Sequence, residues 1–286
     1  MASLRQIKRR MKSIENIHEI TKAMEMIAGF RLKKAETRFN KAKPYLLEME
    51  KLTANLSGAV PEDFAHPLFQ ERKSERKALV VMTGDKGLCG AYNSNVIKNA
   101  MQWLKQNSGV ETFLIPVGKV GAEYFKKRTT PFLFSYPERG MGDPALARKI
   151  TEDLKSAFLG KKVDSVEILY TSFRLGGTGR NSVNPYLPLG YFIKKEKSLA
   201  VIEYIYEPDF QGVFEPLIAR YLEGKIYLNI LESLTSEYSA RMAAMKQATE
   251  NGEEVLDNLT LMRNKTRQAT ITRELSEIVS GSSVLV

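Results

Sequence analysis

The residues best placed for chemistry in this 286-residue chain form the segment Thr83-Gly-Asp-Lys-Gly-Leu-Cys-Gly-Ala-Tyr-Asn93. It follows the apolar run Lys77–Met82 and leads into a helical pattern from about Asn93 to Gln106. A glycine-rich turn between strand and helix can cradle phosphate, because the first amides of the helix point into the turn. Gly84, Gly87 and Gly90 are spaced by three and three, which matches neither a Walker A loop nor a dinucleotide fingerprint. No Lys-Ser/Thr pair follows, and no Mg²⁺ ligand set accompanies the loop. A structural turn is the simpler reading. The alternative is an anion or nucleotide site, and with it a nucleotide-binding α/β enzyme using Gly84–Asn93.

Cys89 lies among small residues near a helix N-terminus, where a thiolate nucleophile could be activated. Such a nucleophile needs an imidazole base. The only histidines are His18, in a basic helical stretch, and His66, just before Pro67. One thiol and two distant imidazoles do not make a transition-metal site or a disulfide framework. The carboxylates fall mostly on helical faces, where solvation and i,i+4 pairing are the default. No catalytic residue, metal site or cofactor is expected in the chain. The remaining candidate chemistry is charge. Net charge is +10, of which +7 falls in residues 1–51 and −1 in residues 217–286. Arg5, Lys8, Arg9, Arg10 and Lys12 could be a zipper-type basic region for DNA, the second alternative. Leu4, Ile7, Met11 and Ile14 run an apolar stripe through the same turns, which a groove-bound helix lacks. The cluster Arg31, Lys33, Lys34, Arg38, Lys41 and Lys43 is interleaved in the same way. A partner-facing coiled-coil surface is the better account.

Those charges are carried on two long helical zones. All eleven prolines lie between Pro44 and Pro216, leaving both ends free of a residue that breaks helix interiors. Ala28, Leu32, Ala35, Phe39, Ala42, Leu46 and Met49 alternate steps of four and three, a heptad repeat. Upstream, Leu4, Ile7, Met11, Ile14, Ile17, Ile20, Met24 and Ile27 continue it with three successive steps of three, the phase shift of a stammer. Near the other end Leu231, Leu234, Tyr238, Met242, Met245, Ala248, Gly252, Val255, Leu259, Met262, Thr266 and Ala269 keep a mean step near 3.5. Helices of roughly 70 and 100 Å are implied at about 1.5 Å per residue. Each has one narrow stripe, so each needs a partner, and the economical solution pairs them with each other.

The middle of the chain alternates strand and helix. Strands are expected at Lys77–Met82, Thr112–Gly118 and Val163–Phe173, with helices after each of the first two and from Asp143 to about Phe158. That order implies a mostly parallel sheet. Val183–Leu189 and Leu199–Tyr206 read as further strands in a hairpin or edge pair. The fold expected is α/β: a long antiparallel coiled coil of N- and C-terminal helices plus a central Rossmann-like, mostly parallel α/β domain. Its parts are an N-terminal coiled-coil helix (1–57), a linker (58–76), the α/β domain (77–207) and a C-terminal coiled-coil helix (208–286). With 43% hydrophobic residues the chain can bury a core, and no run of 18 apolar residues occurs. No apolar run follows the basic N-terminus, so a soluble intracellular protein is expected.

Three segments together resemble the gamma-subunit family of rotary F-type ATP synthases. They are Ile20-Thr-Lys-Ala-Met-Glu-Met-Ile-Ala28, Gly87-Leu-Cys-Gly-Ala-Tyr-Asn93, and the pair Ala240–Thr249 with Asn264–Gly281. The resemblance runs in order from residue 2 to residue 286. Departures are small: the family often has Gly-Ala at Gly281-Ser282 and a second glycine at Ala91. The cysteine-bearing loop of plastid relatives is missing, which excludes their thiol regulation, and the lack of a transit peptide points to a bacterium.

The resemblance implies a shaft of terminal helices inside a hexamer of alternating alpha and beta subunits. The α/β domain would be a foot on the c-ring, gripped by the epsilon subunit. Nucleotides would bind the hexamer, nucleic acid would have no part, and contact with the membrane would run only through the c-ring, at its cytoplasmic face. Family carry-over puts Lys22, Met24, Arg241, Gln268, Thr272 and Glu274 near the collar of the hexamer. It gives Arg9, Arg10 and Lys12 an acidic loop of beta as partner. Ile278, Val279, Val284, Leu285 and Val286 would turn in an apolar bearing. Candidates for the foot surface facing the c-ring and epsilon are Arg31, Lys34, Tyr204, Tyr206, Glu207 and Asp209.

Overall fold

The structure, a computed structural model, describes residues 3–58, 66–73, 75–128, 130–174, 179–189, 207 and 209–283. Two long helices, α1 (Leu4–Gly58) and α5 (Phe210–Ser283), enclose in sequence a small α/β fold. Its elements are β1 (Arg76–Met82), α2 (Tyr92–Gln106), β2 (Glu111–Val117), α3 (Lys119–Lys126), α4 (Pro144–Leu159), β3 (Ser165–Ser172) and β4 (Arg180–Leu187). Packing divides the chain into two compact units, one of residues 1–28 with 241–286 and one of residues 29–240.

In the larger unit the sheet order is β2-β1-β3-β4. The first three strands are parallel, and β4 runs antiparallel on the edge. Alternation along β1 separates two cores, as a period of two requires. Ala78, Val80 and Met82 face Ile150, Leu154 and Phe158 of α4 together with Phe214, Tyr221 and Ile230 of α5. Leu79 and Val81 face Val96, Ala100 and Trp103 of α2 and Phe125 of α3. The sheet is therefore covered on both sides, which accounts for the continuous apolar reading of β1. The other strands and helices expected in this region form, with ends shifted by up to three residues. The β4 edge pair is antiparallel to β3, and the expected strand Leu199–Tyr206 lies outside the described residues. Part of the linker carries structure: Pro67–Phe69 makes a short turn capped by His66, and Leu68 is buried.

Gly118 turns the chain from β2 into α3 with φ +104, and a Cβ there would sit 2.3 Å from the Thr83 carbonyl. Only glycine fits this crossing. Thr83 stays close because its hydroxyl accepts the Gly121 amide at 2.9 Å and donates to Val117 O at 3.3 Å.

The prolines correct one expectation. Pro44 lies inside α1 and Pro216 inside α5, so neither bounds a helix. Packing of Leu46, Met49, Leu56, Ile218, Tyr221 and Leu222 into the core carries both helices past the bond that each proline removes. Here α1 and α5 run antiparallel, with Leu46 against Gly224 and the Tyr221 hydroxyl donating to Glu50 at 3.5 Å.

In the smaller unit α1 and α5 are also antiparallel. Thr249 donates to Thr21 at 2.9 Å, Gly252 lies against His18, and Ile7 and Met11 cluster with Leu259. Facing residue numbers add to about 270. No stammer occurs. The half- or fully buried positions of α1 in this unit are Leu4, Ile7, Met11, Ile14, His18, Thr21, Glu25 and Ala28, an unbroken alternation of three and four, with Met24 half-buried beside Glu25. On α5 one row of such positions runs through Met245, Thr249, Gly252, Leu256, Leu259, Arg263, Thr266 and Thr270. On α1 the apolar reading slipped by one position at His18, Thr21 and Glu25, where the seam residue is polar, because a heptad fixes position before it fixes polarity.

Lys225 of α5 sits half-buried beside Tyr221 and donates to Pro185 O at 3.4 Å. Burial drives its pKa down to about 7, opposed by the Glu50 carboxylate. Between pH 7 and the ordinary value of 10.5 the unfolded chain therefore holds a proton that the folded one lacks. Stability should rise with pH across this window, with the penalty complete below pH 7. Urea melts of Lys225→Met are expected to show a higher midpoint than the parent at pH 6.5 and a flatter rise towards pH 10.

Candidate functional site

The Gly84–Asn93 loop is a joint between elements. Gly84 N–H donates to Asn93 Oδ1 at 2.8 Å, and Asn93 Nδ2 donates to Lys86 O and to Cys89 Sγ at 3.3 and 3.2 Å. The Asp85 carboxylate accepts the amides of Lys119, Arg139 and Gly140. Tyr92 turns inward, its hydroxyl 2.7 Å from Ser233 Oγ, and burial raises its pKa. The Gly84 amide and the Asp85 carboxylate are thus both engaged within the protein. Cys89 is buried. His18 pairs with Glu253 at 3.0 Å, and His66 Nδ1 accepts the Leu68 amide, so both imidazoles are engaged elsewhere.

The basic cluster near the N-terminus has the geometry of a coil surface. Ile7 and Met11 are buried, whereas Arg5, Lys8, Arg9, Arg10 and Lys12 are exposed. The seam that binds α5 occupies the side a groove-bound helix would need for bases.

What the seam leaves outside is more informative. Ile17, Ile20 and Ile27 are 48%, 59% and 51% exposed, and Met24 beside them is half-buried. Their spacing of three, four and three makes them one stripe, about 110° around α1 from the seam. On α5, Leu261, Ile271, Leu275 and Ile278 are exposed and repeat in the same manner, with Gln268 between them. By the register, α1 begins opposite residue 266 or so, hence Ile271, Leu275 and Ile278 lie beyond the reach of α1. Exposed apolar rows of this kind mark surfaces that meet other proteins.

Set against these rows, the predicted contacts of the smaller unit are accessible. Lys22, Gln268, Thr272, Glu274 and Ile278 are exposed, and Arg241 is half-buried. Val279 lies on α5. Val284, Leu285 and Val286 fall outside the described residues. In the larger unit Arg31 and Lys34 are exposed on α1, as is Glu207. Asp209 accepts the Gly212 amide at 2.6 Å and so also caps α5. Tyr204 and Tyr206 fall outside the described residues. Sequence reasoning missed Ile17, Ile20 and Ile27 as surface residues by placing them in the seam. An uninterrupted four-three count back from Ala28 would have found them.

The family described as ATP synthase matches residues 3–285. A protein of Cupriavidus necator called ATP synthase gamma chain is 40% identical over the full length of both chains. The chain belongs to the ATP synthase gamma chain family. A second gamma chain, from Halothermothrix orenii, is 36% identical, again over all of both chains. Among solved structures, a chain of the Euglena gracilis mitochondrial ATP synthase (OSCP/F1/c-ring, rotational state 3) aligns over 99% of this chain and 94% of its own, with a TM-score of 0.69. A chain of the rotor of the same organism's enzyme has a TM-score of 0.67 over 94% of this chain. At 16% and 17% identity these two establish the fold: long terminal helices around an α/β domain.

The register makes a direct prediction. Ile17→Asn and Ile20→Asn should each change the stability of the isolated chain by no more than about 0.5 kcal/mol, as surface substitutions do. Leu259→Ala should cost about 2 kcal/mol or more, as loss of a packed leucine does. Urea melts distinguish the two, and equal losses would return Ile17 and Ile20 to the seam.

Proposed function

We propose that this chain is the central rotor shaft of an F-type ATP synthase, coupling proton-driven rotation of a c-ring to ATP synthesis and hydrolysis at sites on an alpha/beta hexamer. The observation that carries the reading is the antiparallel two-helix coil with apolar rows left outside its seam, in a chain that is a gamma chain over its whole length. The chain is a non-catalytic subunit, peripheral to the cytoplasmic face of a bacterial membrane. No helix among the described residues is long and apolar enough to cross a membrane.

Each beta subunit has conformations that differ in nucleotide affinity, and a partner shifts such an equilibrium only by touching the conformations differently. A coil whose apolar row covers only one side of α1 does so at every angle. Moving one site from mostly closed to mostly open takes on the order of 5 kcal/mol of differential interaction. Coupling is reciprocal, so ATP binding and hydrolysis turn the shaft in the opposite sense. Arg9, Arg10 and Lys12 would meet an acidic loop of beta, a contact that acts at range and needs no fixed geometry. Lys22, Met24, Arg241, Gln268, Thr272 and Glu274 would contact the collar. Ile278 and the residues after it would turn in an apolar sleeve, for which the exposed row Ile271, Leu275 and Ile278 is suited. Arg31, Lys34, Tyr204, Tyr206, Glu207 and Asp209 would face the c-ring and epsilon.

The purified chain should hydrolyse no ATP by itself and should accelerate and steady the ATPase of the alpha/beta hexamer. Robust hydrolysis by the chain alone would sink the rotor reading. In proton-pumping vesicles Met24→Lys, which adds a charge to the Ile17–Ile27 row, should lower proton uptake per ATP while assembly proceeds; unchanged uptake would remove Met24 from the contact surface.

A further inference from the structure

Within the larger unit one guanidinium is wholly buried. Arg139, between β2 and α4, is 2% exposed and forms an ion pair with Glu237 of α5, whose carboxylate is buried too. Its Nη1 donates to Ser233 Oγ at 3.3 Å and to the Tyr92 hydroxyl at 3.5 Å. The amides of Arg139 and Gly140 both donate to the Asp85 carboxylate, at 3.1 and 3.0 Å. One residue further on, the Met141 carbonyl accepts from Arg38 of α1 at 3.0 Å, and the Met141 sulfur accepts from the Tyr238 hydroxyl of α5 at 3.1 Å. Gly142 then passes so close to α5 that a Cβ would come within 2.9 Å of Leu231. Residues 139–142 thus bind the loop after β1 to both long helices.

A buried ion pair is a poor device for stability alone, because apolar residues of similar volume often do as well or better. Its distinguishing property is direction. Apolar attraction has no preferred direction, whereas a guanidinium paired with a carboxylate and donating to two hydroxyls is held in a fixed hydrogen-bond geometry. Removing one partner would strand a buried charge. Gly84 adds a steric limit, since a Cβ there would lie 3.0 Å from the Glu237 carboxylate.

We infer that Arg139 and Glu237 are positioning residues through which torque passes between the α/β fold and the coil helices of the same unit. The inference rests on the rotor reading. Neither residue belongs to the partner-contact surfaces, and the effect is exerted through α5.

The test uses the complete ATP synthase carrying this chain, in vesicles for ATP-driven proton uptake and immobilised with a bead on the rotor for torsional stiffness. The wild-type complex tests the rotor reading itself: if it neither rotates nor pumps, that reading fails before any variant is considered. The decisive variant is the apolar replacement Arg139→Met with Glu237→Leu. Its urea midpoint should match or exceed the parent's, ATP hydrolysis should continue, and the rotor should lose stiffness and proton uptake per ATP. Full recovery of stiffness and uptake with stability would overturn the inference, leaving the pair a packing element. Tyr92→Phe removes one hydroxyl from the cluster and keeps its volume, so it serves where the double variant does not assemble. A softer rotor at normal assembly supports the inference, and unchanged stiffness overturns it.

Discussion

A two-stranded coil can bury only one stripe per helix, and the other features of this chain follow from how that stripe is allotted. With about 3.6 residues per turn, an apolar residue is either in the seam, against the partner helix, or outside it, against water or another protein. Ile7, Met11 and Leu259 are in the seam, whereas Ile17, Ile20 and Ile27 are outside. In an ordinary globular helix an apolar residue tells its own destination. Here it does not, and an exposed row is made of residues that look like core.

The seam residues beside Ile17 and Ile20 are His18, facing Gly252 and Glu253, and Thr21, facing Thr249. Polar residues at seam positions cost stability and fix register, because a slipped helix leaves them without partners. The Thr21–Thr249 bond and the His18–Glu253 contact therefore fix the pairing along the stretch of α1 that carries the exposed row. Where the same two helices meet in the larger unit, register is held differently: Leu46, Met49, Leu56, Ile218 and Leu222 enter one core with the sheet. That core is deep enough to carry α1 through Pro44 and α5 through Pro216.

These differences decide what could be read from the sequence. The sheet was legible because its strands are buried on both faces and separated by glycine and turn residues, so that Lys77–Met82 and Val163–Phe173 differ little from β1 and β3. The existence of two long paired helices was legible from the four-three count over Ala28–Met49. Its phase upstream was not, because hydropathy alone assigns Ile17 and Ile20 to the seam ahead of His18 and Thr21. The Arg139–Glu237 pair was invisible for another reason. Its members are separated by 98 positions, and neither lies in a motif. A buried arginine has the same local sequence signature as a solvated one.

Charge illustrates the same point from the other side. The net +7 of the first 51 residues suggested nucleic acid, and its interleaving with a seam argued against it. The structure gives the physical form of that argument, since Arg9, Arg10 and Lys12 are exposed while Ile7 and Met11 beside them are buried against α5. Carried on one helix of a rotating pair, such charges attract an acidic surface over a distance near the Debye length, about 8–10 Å at physiological salt. That range exceeds any hydrogen bond, so the attraction persists while the partner's position changes. A contact that must be made and released with each turn is better served by it than by a fixed ion pair. A buried ion pair, Arg139 with Glu237, stands instead inside the larger unit.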